Sequence, residues 1–332
     1  MAARDDNISG EDRLIARFFK PLATSPGALG LSDDAAFLKP PIGCDLVLTA
    51  DALVGGVHFF NDDEARAVAQ KSLRVNLSDL AAKGAKPLGF LLSLALPEGV
   101  DEDWLASFAA GLKSDADEFA CPLFGGDTVR TTGPVTISVA MFGSVPEGRM
   151  VRRAGAKPGD LVMVTGTIGD AALGVRLRNG AGNNWALTAA QRDHLLARYL
   201  LPQPRGALAD AVREHASAAM DVSDGLAGDF GKLAHVSGVA AQIVATQVPL
   251  SDAAKAALKA DPALMETILA GGDDYEIVCT VSPGKADALR DAAMGASLTL
   301  TEIGVVTAGE GVSFIAADGR PLSFKRASFS HF

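Results

Sequence analysis

Asn76-Leu77-Ser78-Asp79-Leu80-Ala81-Ala82-Lys83-Gly84 closes a run that begins at Glu64 and whose spacing predicts a helix, with Gly84 as its C-cap. Ala69, Leu73, Val75, Leu77, Leu80, Ala81 and Ala82 leave this helix little polar surface near its C-terminal half. Asn76, Asp79 and Lys83 stand at i, i+3 and i+7, one narrow polar stripe on an apolar cylinder. A stripe that narrow points into a site; the alternative is a solvated Asp79.

Upstream of the helix, a β-type run from Asp45 to Thr49 ends at Asp51, and Gly55-Gly56 allows a sharp turn before His58. Earlier still, Ser9 with Glu11 and Asp12 caps a short helix carrying Leu14, Ile15, Phe18 and Phe19, and a Pro/Gly-rich loop leads to Ser32-Asp33-Asp34. Downstream, two strand-like runs, Leu88 to Leu96 and Val135 to Val145, are separated by a helix over about 103–119 and by a Pro122-to-Thr128 connection. Strands and helices therefore interleave, which reads as α/β (α+β).

Gly155 to Asp160 reads as a turn and a seam, so two domains are expected, 1–150 and 151–332. The second half predicts helices near 169–179, 188–200, 206–215, from Asp224 to about Val236, 252–260 and 262–270. Its strands are expected at 218–221, 240–244, 275–281, 300–306 and 312–316. A local echo links the halves: Asn76-Leu-Ser-Asp79-Leu-Ala and Asp221-Val-Ser-Asp224-Gly-Leu-Ala.

With 332 residues, 48% of them hydrophobic, the chain has room for two cores. A formal net charge of −10 argues against nucleic acid or an acidic membrane held by general electrostatics. The strongest apolar run, Leu88 to Leu96, is about half the roughly 20 residues a membrane helix needs. Residues 1–12 are polar and acidic, unlike a signal peptide. Cys44, Cys121 and Cys279 form no ligand pattern and read as reduced core residues, which favours the cytoplasm.

Asp33, Asp34, Asp51, Asp79, Asp127, Asp221 and Asp224 all sit among small residues beside apolar stretches, so they are expected to be partly buried. Buried carboxylates converging on one another need cations between them, and Mg²⁺ with a polyphosphate suits an oxygen-only site. Gly125-Gly126-Asp127-Thr128 reads either as a phosphate-cradling loop whose carboxylate and hydroxyl hold Mg²⁺ or as an ordinary turn. Arg149, Arg152 and Arg153 form a basic cluster that either meets phosphate oxygens or is solvated. The glycines of Val164-Thr-Gly166-Thr-Ile-Gly169-Asp-Ala-Ala-Leu-Gly174 miss the dinucleotide spacing and read better as a helix-start turn, and no P-loop motif occurs.

The ordered set Ser32-Asp-Asp-Ala-Ala36, Thr49-Ala-Asp51, Asn76 to Gly84, Gly125-Gly-Asp-Thr128, Asp221-Val-Ser-Asp-Gly225 and Gly271-Gly-Asp-Asp-Tyr275 resembles the thiamine-monophosphate kinase family. The resemblance runs from about residue 10 to the C-terminus, and related ATP-using enzymes such as aminoimidazole ribonucleotide synthetase share its general plan. It implies transfer of the ATP γ-phosphoryl group to thiamine monophosphate. It further implies several Mg²⁺ ions held by Asp34, Thr49, Ala50, Asp51, Asp79, Asp127, Asp221 and Asp224, with Asp51, Asp79 and Asp127 catalytic. ATP contacts fall to Gly126, Asp127, Arg153 and Ser223, and thiamine monophosphate contacts to His58, Asp273 and Phe329. The implied fold is an N-terminal domain whose strands pair across a homodimer into a β-barrel, followed by a C-terminal α/β domain.

Four positions depart from the family's habit: Ser32 for glycine, Ala50 for a hydroxyl residue, Asp273 for Glu and Phe329 for Trp or Tyr. Ala50 can offer a metal only its carbonyl. The rival readings are a Mg·ATP-binding sensor without catalysis and a related ATP-dependent synthetase. Selenophosphate synthesis normally relies on a reactive Cys near the N-terminus, and no cysteine precedes Cys44; hydrogenase-maturation relatives use a C-terminal cysteine, whereas this chain ends Phe329-Ser-His-Phe332.

Overall fold

A computed structural model describes residues 13–329 and divides the chain into two compact units. The first comprises Met1–Leu77 and Pro87–Pro146; the second comprises Ser78–Lys86 and Glu147–Phe332. The division falls inside the helix Ala65–Ala82, so the last turn of the opening motif belongs with the C-terminal half. The predicted Ser9 cap lies outside the described residues; Ile15–Phe19 winds as a π-helical segment that tightens to 3₁₀ over Lys20–Leu22.

The first unit is built on a four-stranded sheet in the order β1 (Cys44–Val54), β4 (Thr136–Pro146), β2 (Lys86–Pro97), β3 (Leu123–Thr131). β1 and β4 are antiparallel, whereas β2 and β3 are parallel and joined by the helix Glu102–Glu118, which Asp101 caps through the Trp104 amide. Ile137, Val139 and Met141 alternate along β4 as buried residues. Along β1, Val47 and Leu53 are buried and share their face with Thr49 and Asp51, whereas Leu46, Leu48 and Ala50 face the opposite way and are exposed.

Gly125-Gly126-Asp127-Thr128, expected as a loop or turn, lies within strand β3 instead. The reason is close approach. A Cβ on Gly126 would sit 1.8 Å from the carbonyl oxygen of Leu92, because β2 and β3 are pressed together past a register shift at Phe90/Leu91. Glycine here serves strand pairing rather than a turn.

The second unit holds a six-stranded sheet in the order β10 (Gly311–Ile315), β7 (Ala240–Val244), β9 (Leu300–Thr307), β5 (Leu161–Thr165), β8 (Ile277–Val281), β6 (Ala216–Asp221). Helices cover both faces. Val162, Val164 and Val278 point to one core with Leu173, Leu195, Phe230, Ala254 and Ile268, while Met163, Ala219 and Cys279 point to another with Val212 and Leu289. The helix Pro283–Gly295, which supplies Leu289, was not among those read from the sequence. β5 runs antiparallel to both neighbours, and a Cβ on Gly166, Gly169 or Gly174 would strike Glu276, Ile268 or Leu195, so these glycines are filled by protein as a helix-start turn.

Neither sheet closes on itself into a barrel. Among the described residues no helix is long and apolar enough to cross a membrane.

Candidate active site

In the first unit, a cavity of about 730 Å³ lies against the sheet. Its acidic end is made by Asp33, Asp34 and Asp127 with Ser93 and Thr128, and its apolar wall includes Phe37, Leu48, Leu91 and Phe142. Asp127 reaches this position because β3 pairs it with Ser93 of β2, and Asp34 because its amide donates to Asp33 Oδ1 at 2.8 Å. An apolar wall leading to carboxylates and a glycine backbone suits a flat aromatic ring with a charged, metal-bearing tail. Asp51 is half-buried, as expected, but Asp33, Asp34 and Asp127 are exposed, against the expectation that all seven aspartates would be partly buried. They stand on an open sheet face and a loop, where water hydrates them.

His58 follows β1 in the Gly55–Phe59 turn and is half-buried; its Nδ1 accepts the Val54 amide at 2.9 Å. Thr49 and Asp51 are half-buried on the inner face of β1, and Ala50 is exposed on the other.

The second unit gathers the other acidic motifs. Ser78 Oγ donates to Asp221 Oδ2 at 2.9 Å, so the two echoing Ser-Asp segments meet. Asp221 is buried at the end of β6, and burial, then the nearby Asp79 charge, raise its pKa well above the usual carboxylate range; Ser78 and Lys83 pull the other way without prevailing. Lys83 Nζ donates to the Ala219 carbonyl at 2.8 Å. Burial lowers its pKa to about 8, with the Arg153 charge adding to the effect and Asp221 and Asp79 opposing it. Asp79, Lys83, Arg153 and Asp221 thus share one electrostatic neighbourhood. Arg149 pairs instead with Glu214 at 2.9 Å.

The Asp221-to-Asp224 segment is laced to the Gly271-to-Glu276 loop. Asp273 N–H donates to the Ser223 carbonyl, Tyr275 N–H to that of Val222, and Val222 N–H to that of Glu276, all at 2.8 Å. Phe329 N–H donates to the Asp224 carbonyl at 2.9 Å, which brings the chain's last described residue, half-exposed, to the same edge. Asp273 and Tyr275 adopt φ of 72° and 52°, a left-handed backbone that costs energy for non-glycine residues. Two buried acids hold the loop in it. Asp274 accepts the Gly169 amide at 2.9 Å, and Glu276 accepts Thr165 Oγ1 at 2.7 Å, Arg198 at 2.8 Å and a two-pronged contact from Arg205.

Lys232 and Asp229, which the sequence reading passed over, also belong to this edge, beside Tyr275 of the Gly271-to-Tyr275 motif. Lys232 Nζ reaches Asp224 Oδ2 at 2.6 Å and Asp229 Oδ1 at 2.9 Å, and Asp229 Oδ2 also accepts the Asp224 amide at 2.8 Å. Tyr275 Oη lies 3.4 Å from Asp273 Oδ1. A signal existed for the pair on the helix Leu226–Ser237: Asp229 and Lys232 fall at i and i+3 immediately after the Asp224 motif.

The donors are oxygens, the preference of Mg²⁺, and a carboxylate pair as strained as Asp79 and Asp221 fits a cation. The carboxylates nevertheless come in twos. Among the described residues no three acidic, His or Cys side chains make a ready-formed metal nest, contrary to the convergence expected from sequence. Mg²⁺ usually takes one or two carboxylates and completes its shell with phosphate oxygens and water, so paired carboxylates remain a suitable donor set.

Residues 32–145 match the AIR synthase related protein, N-terminal domain, and residues 157–317 the corresponding C-terminal domain. The chain is 44% identical over 321 residues to the thiamine-monophosphate kinase of Caulobacter vibrioides, covering 96% of this chain and 89% of that one. Among solved structures it resembles the thiamine-monophosphate kinase of Stenotrophomonas maltophilia, with a TM-score of 0.80, 40% identity, and 94% and 96% of the two chains covered. It also resembles AaThiL complexed with AMPPCP and TMP, with a TM-score of 0.76, 33% identity, and 90% and 91% covered.

Proposed function

The chain belongs to the AIR synthase related family and, within it, to the thiamine-monophosphate kinases, and we propose that it transfers the γ-phosphoryl group of ATP to thiamine monophosphate, giving thiamine diphosphate and ADP. The observation that carries this is likeness over nearly the whole length of both chains to kinases of that activity, one of them solved with AMPPCP and TMP.

Within that activity we assign roles by the two domains expected from sequence, which cut the chain once, near residue 150, rather than by compact unit. In the first, residues 1–150, Gly126 and Asp127 contact ATP, His58 contacts thiamine monophosphate, and Asp34, Thr49, the Ala50 carbonyl, Asp51 and Asp127 hold metal. In the second, residues 151–332, Arg153 and Ser223 contact ATP, Asp273 and Phe329 face thiamine monophosphate, and Asp221 and Asp224 hold metal together with Asp79 from the helix end. The raised pKa of Asp221 supports a cation there, and the left-handed Asp273, held by the ladder to Ser223, supports a presented carboxylate.

Mg²⁺, when bound, supplies neutralisation of the phosphate charge that builds up as two anions approach. The phosphate of thiamine monophosphate is anionic at neutral pH, so these residues need only hold donor and acceptor in line, and direct transfer follows without a phosphoenzyme. Phe329 stacks on an acceptor ring but lacks a hydrogen-bonding tip. The exposed leucines of β1 and β2 support pairing of two copies through the first unit's sheet into a barrel, and the thiol chemistry supports a cytoplasmic setting.

The test is to incubate the purified protein with Mg·ATP and thiamine monophosphate and to measure thiamine diphosphate by chromatography. Product that requires both Mg²⁺ and the acceptor is expected, and Asp127→Asn or Asp79→Asn should abolish it in a folded chain. ATP bound without transfer to thiamine monophosphate would overturn the reading.

A further inference from the structure

We propose that Lys232 is a positioning residue that sets cation preference: by holding one oxygen of Asp224, its ammonium leaves that carboxylate a single oxygen for a divalent cation and so favours Mg²⁺ over Ca²⁺. This rests on the assignment of Asp224 to metal in the proposed function.

Asp224 is fixed at every polar atom but one. Its amide donates to Asp229 Oδ2 at 2.8 Å, its carbonyl accepts the Phe329 amide at 2.9 Å, and its Oδ2 accepts Lys232 Nζ at 2.6 Å. Oδ1 takes no hydrogen bond from the described residues, and the side chain is 40% exposed, so this is the oxygen left to a ligand. The neighbouring backbone is equally confined. Gly225, at a φ of 114°, passes so close to the Ala270 carbonyl carbon that a Cβ would lie 2.6 Å from it, and it opens the helix Leu226–Ser237 that carries Asp229 and Lys232.

Neutralising Asp229 is a simpler task for the same ammonium, since Asp229 is fully buried and Lys232 stands 2.9 Å from its Oδ1. That task asks nothing of Asp224, eight residues back, yet Nζ lies closer to Asp224 than to Asp229. Exposed ion pairs are weak partly because two long side chains must be held in one geometry. Here the buried acid already holds the lysine and the fold holds the Asp224 backbone, so the contact persists. Its consequence is the number of oxygens on offer. Mg²⁺ demands near-ideal octahedral geometry, which the narrow two-oxygen bite of one carboxylate strains, whereas Ca²⁺ accepts that bite in a larger and looser shell. With Oδ2 held by Lys232, the two-oxygen bite is closed to Asp224 and the one-oxygen contact stays open. The positive charge of Lys232 weakens both cations alike and does not itself discriminate between ions of equal charge.

The experiment is a displacement titration on the full-length protein without nucleotide, with Mn²⁺ as the probe and its free form counted by electron paramagnetic resonance. The Mn²⁺ whose binding is lost in Asp224→Asn marks the site, and Mg²⁺ or Ca²⁺ is then used to displace it. Relative to wild type, Lys232→Met should shift the ratio of the two displacing concentrations about tenfold towards Ca²⁺, and Lys232→Arg, which keeps a cation at Oδ2, should stay within about threefold. A Lys232→Met ratio within about twofold of wild type overturns the proposal, as does a Lys232→Arg ratio that follows Met. Should Lys232→Met fail to fold because Asp229 is left alone, the double variant Asp229→Asn with Lys232→Met removes both charges, keeps an acceptor for the Asp224 amide and meets the same criterion. Asp224→Asn that binds Mn²⁺ as wild type does overturns the metal role of Asp224 and this inference with it. A wild type that makes no thiamine diphosphate but shows the shift overturns the proposed function and leaves this inference standing.

Discussion

Asp221 is a residue held against its own preference. Its carboxyl is buried beside Asp79, and its folded pKa lies well above the unfolded value near 3.8. An acid with a raised folded pKa contributes stability below its unfolded pKa and loses it as pH rises through the folded one. Asp221→Asn keeps an acceptor for Ser78 and removes the charge. In the metal-free chain the variant should therefore melt at the wild-type temperature in acid and progressively above it as pH rises from about 4 to 8, while turnover falls about 100-fold or more. Melting curves in chelator across that range check this, and a variant less stable than wild type at neutral pH would show that the charge is already compensated. The sequence announced Asp221 through its Asp-Val-Ser-Asp setting, but not Lys232. Its partners Asp229 and Asp224 lie three and eight residues upstream, and it is the winding of the helix Leu226–Ser237 that brings the ammonium to both.

At the scale of elements, the helix and strand positions were largely legible, because hydrophobic period distinguishes a buried helix such as Ala65–Ala82 from an alternating strand such as β4. What misled was punctuation. Gly125-Gly126 has the composition of a turn, yet lies in a strand because a parallel neighbour leaves no room for a side chain at Gly126, and that neighbour, Leu92, is 34 residues away in sequence. The contrast between the two glycines is testable. Gly126→Ala puts a methyl 1.8 Å from the Leu92 carbonyl oxygen and should cost about 1–3 kcal/mol or more, whereas Gly125→Ala meets only a Leu91 methyl at 3.4 Å and should be nearly neutral. Urea unfolding of the two variants measures the difference, and equal stabilities would contradict the strand pairing. The Gly271-to-Glu276 loop was legible as acidic but not as latched, since Arg198 and Arg205 arrive from far upstream. Removing Glu276 strands two arginines in the interior, so Glu276→Ala should cost about 3–5 kcal/mol and release the left-handed Asp273 and Tyr275. Urea unfolding with the loss below about 1 kcal/mol would show the latch to be ornamental.

For the molecule as a whole, the exposed face of the first unit's sheet poses a question that its own chain leaves unanswered. Leu46 and Leu48 on β1, Leu91 on β2 and Val129 on β3 are 42%, 67%, 37% and 48% exposed. Apolar residues scattered singly are ordinary, but four on one sheet form a face that water wets poorly and that a second copy can cover. Leu48 is the most exposed of them and also lines the cavity that holds Asp34 and Asp127, so the apolar face and the cavity share a wall. If two copies pair through this face, Leu48→Asp places a charge in an apolar contact and should convert a dimer of about twice the 34.1 kDa chain into a monomer that still folds. Because the cavity wall is altered in the same stroke, KM for ATP should rise about tenfold or more. Light scattering after size exclusion reads the mass, circular dichroism the fold and steady-state kinetics the site. A Leu48→Asp protein that stays dimeric would move the interface off this sheet, and a wild type already monomeric at assay concentration would remove it altogether.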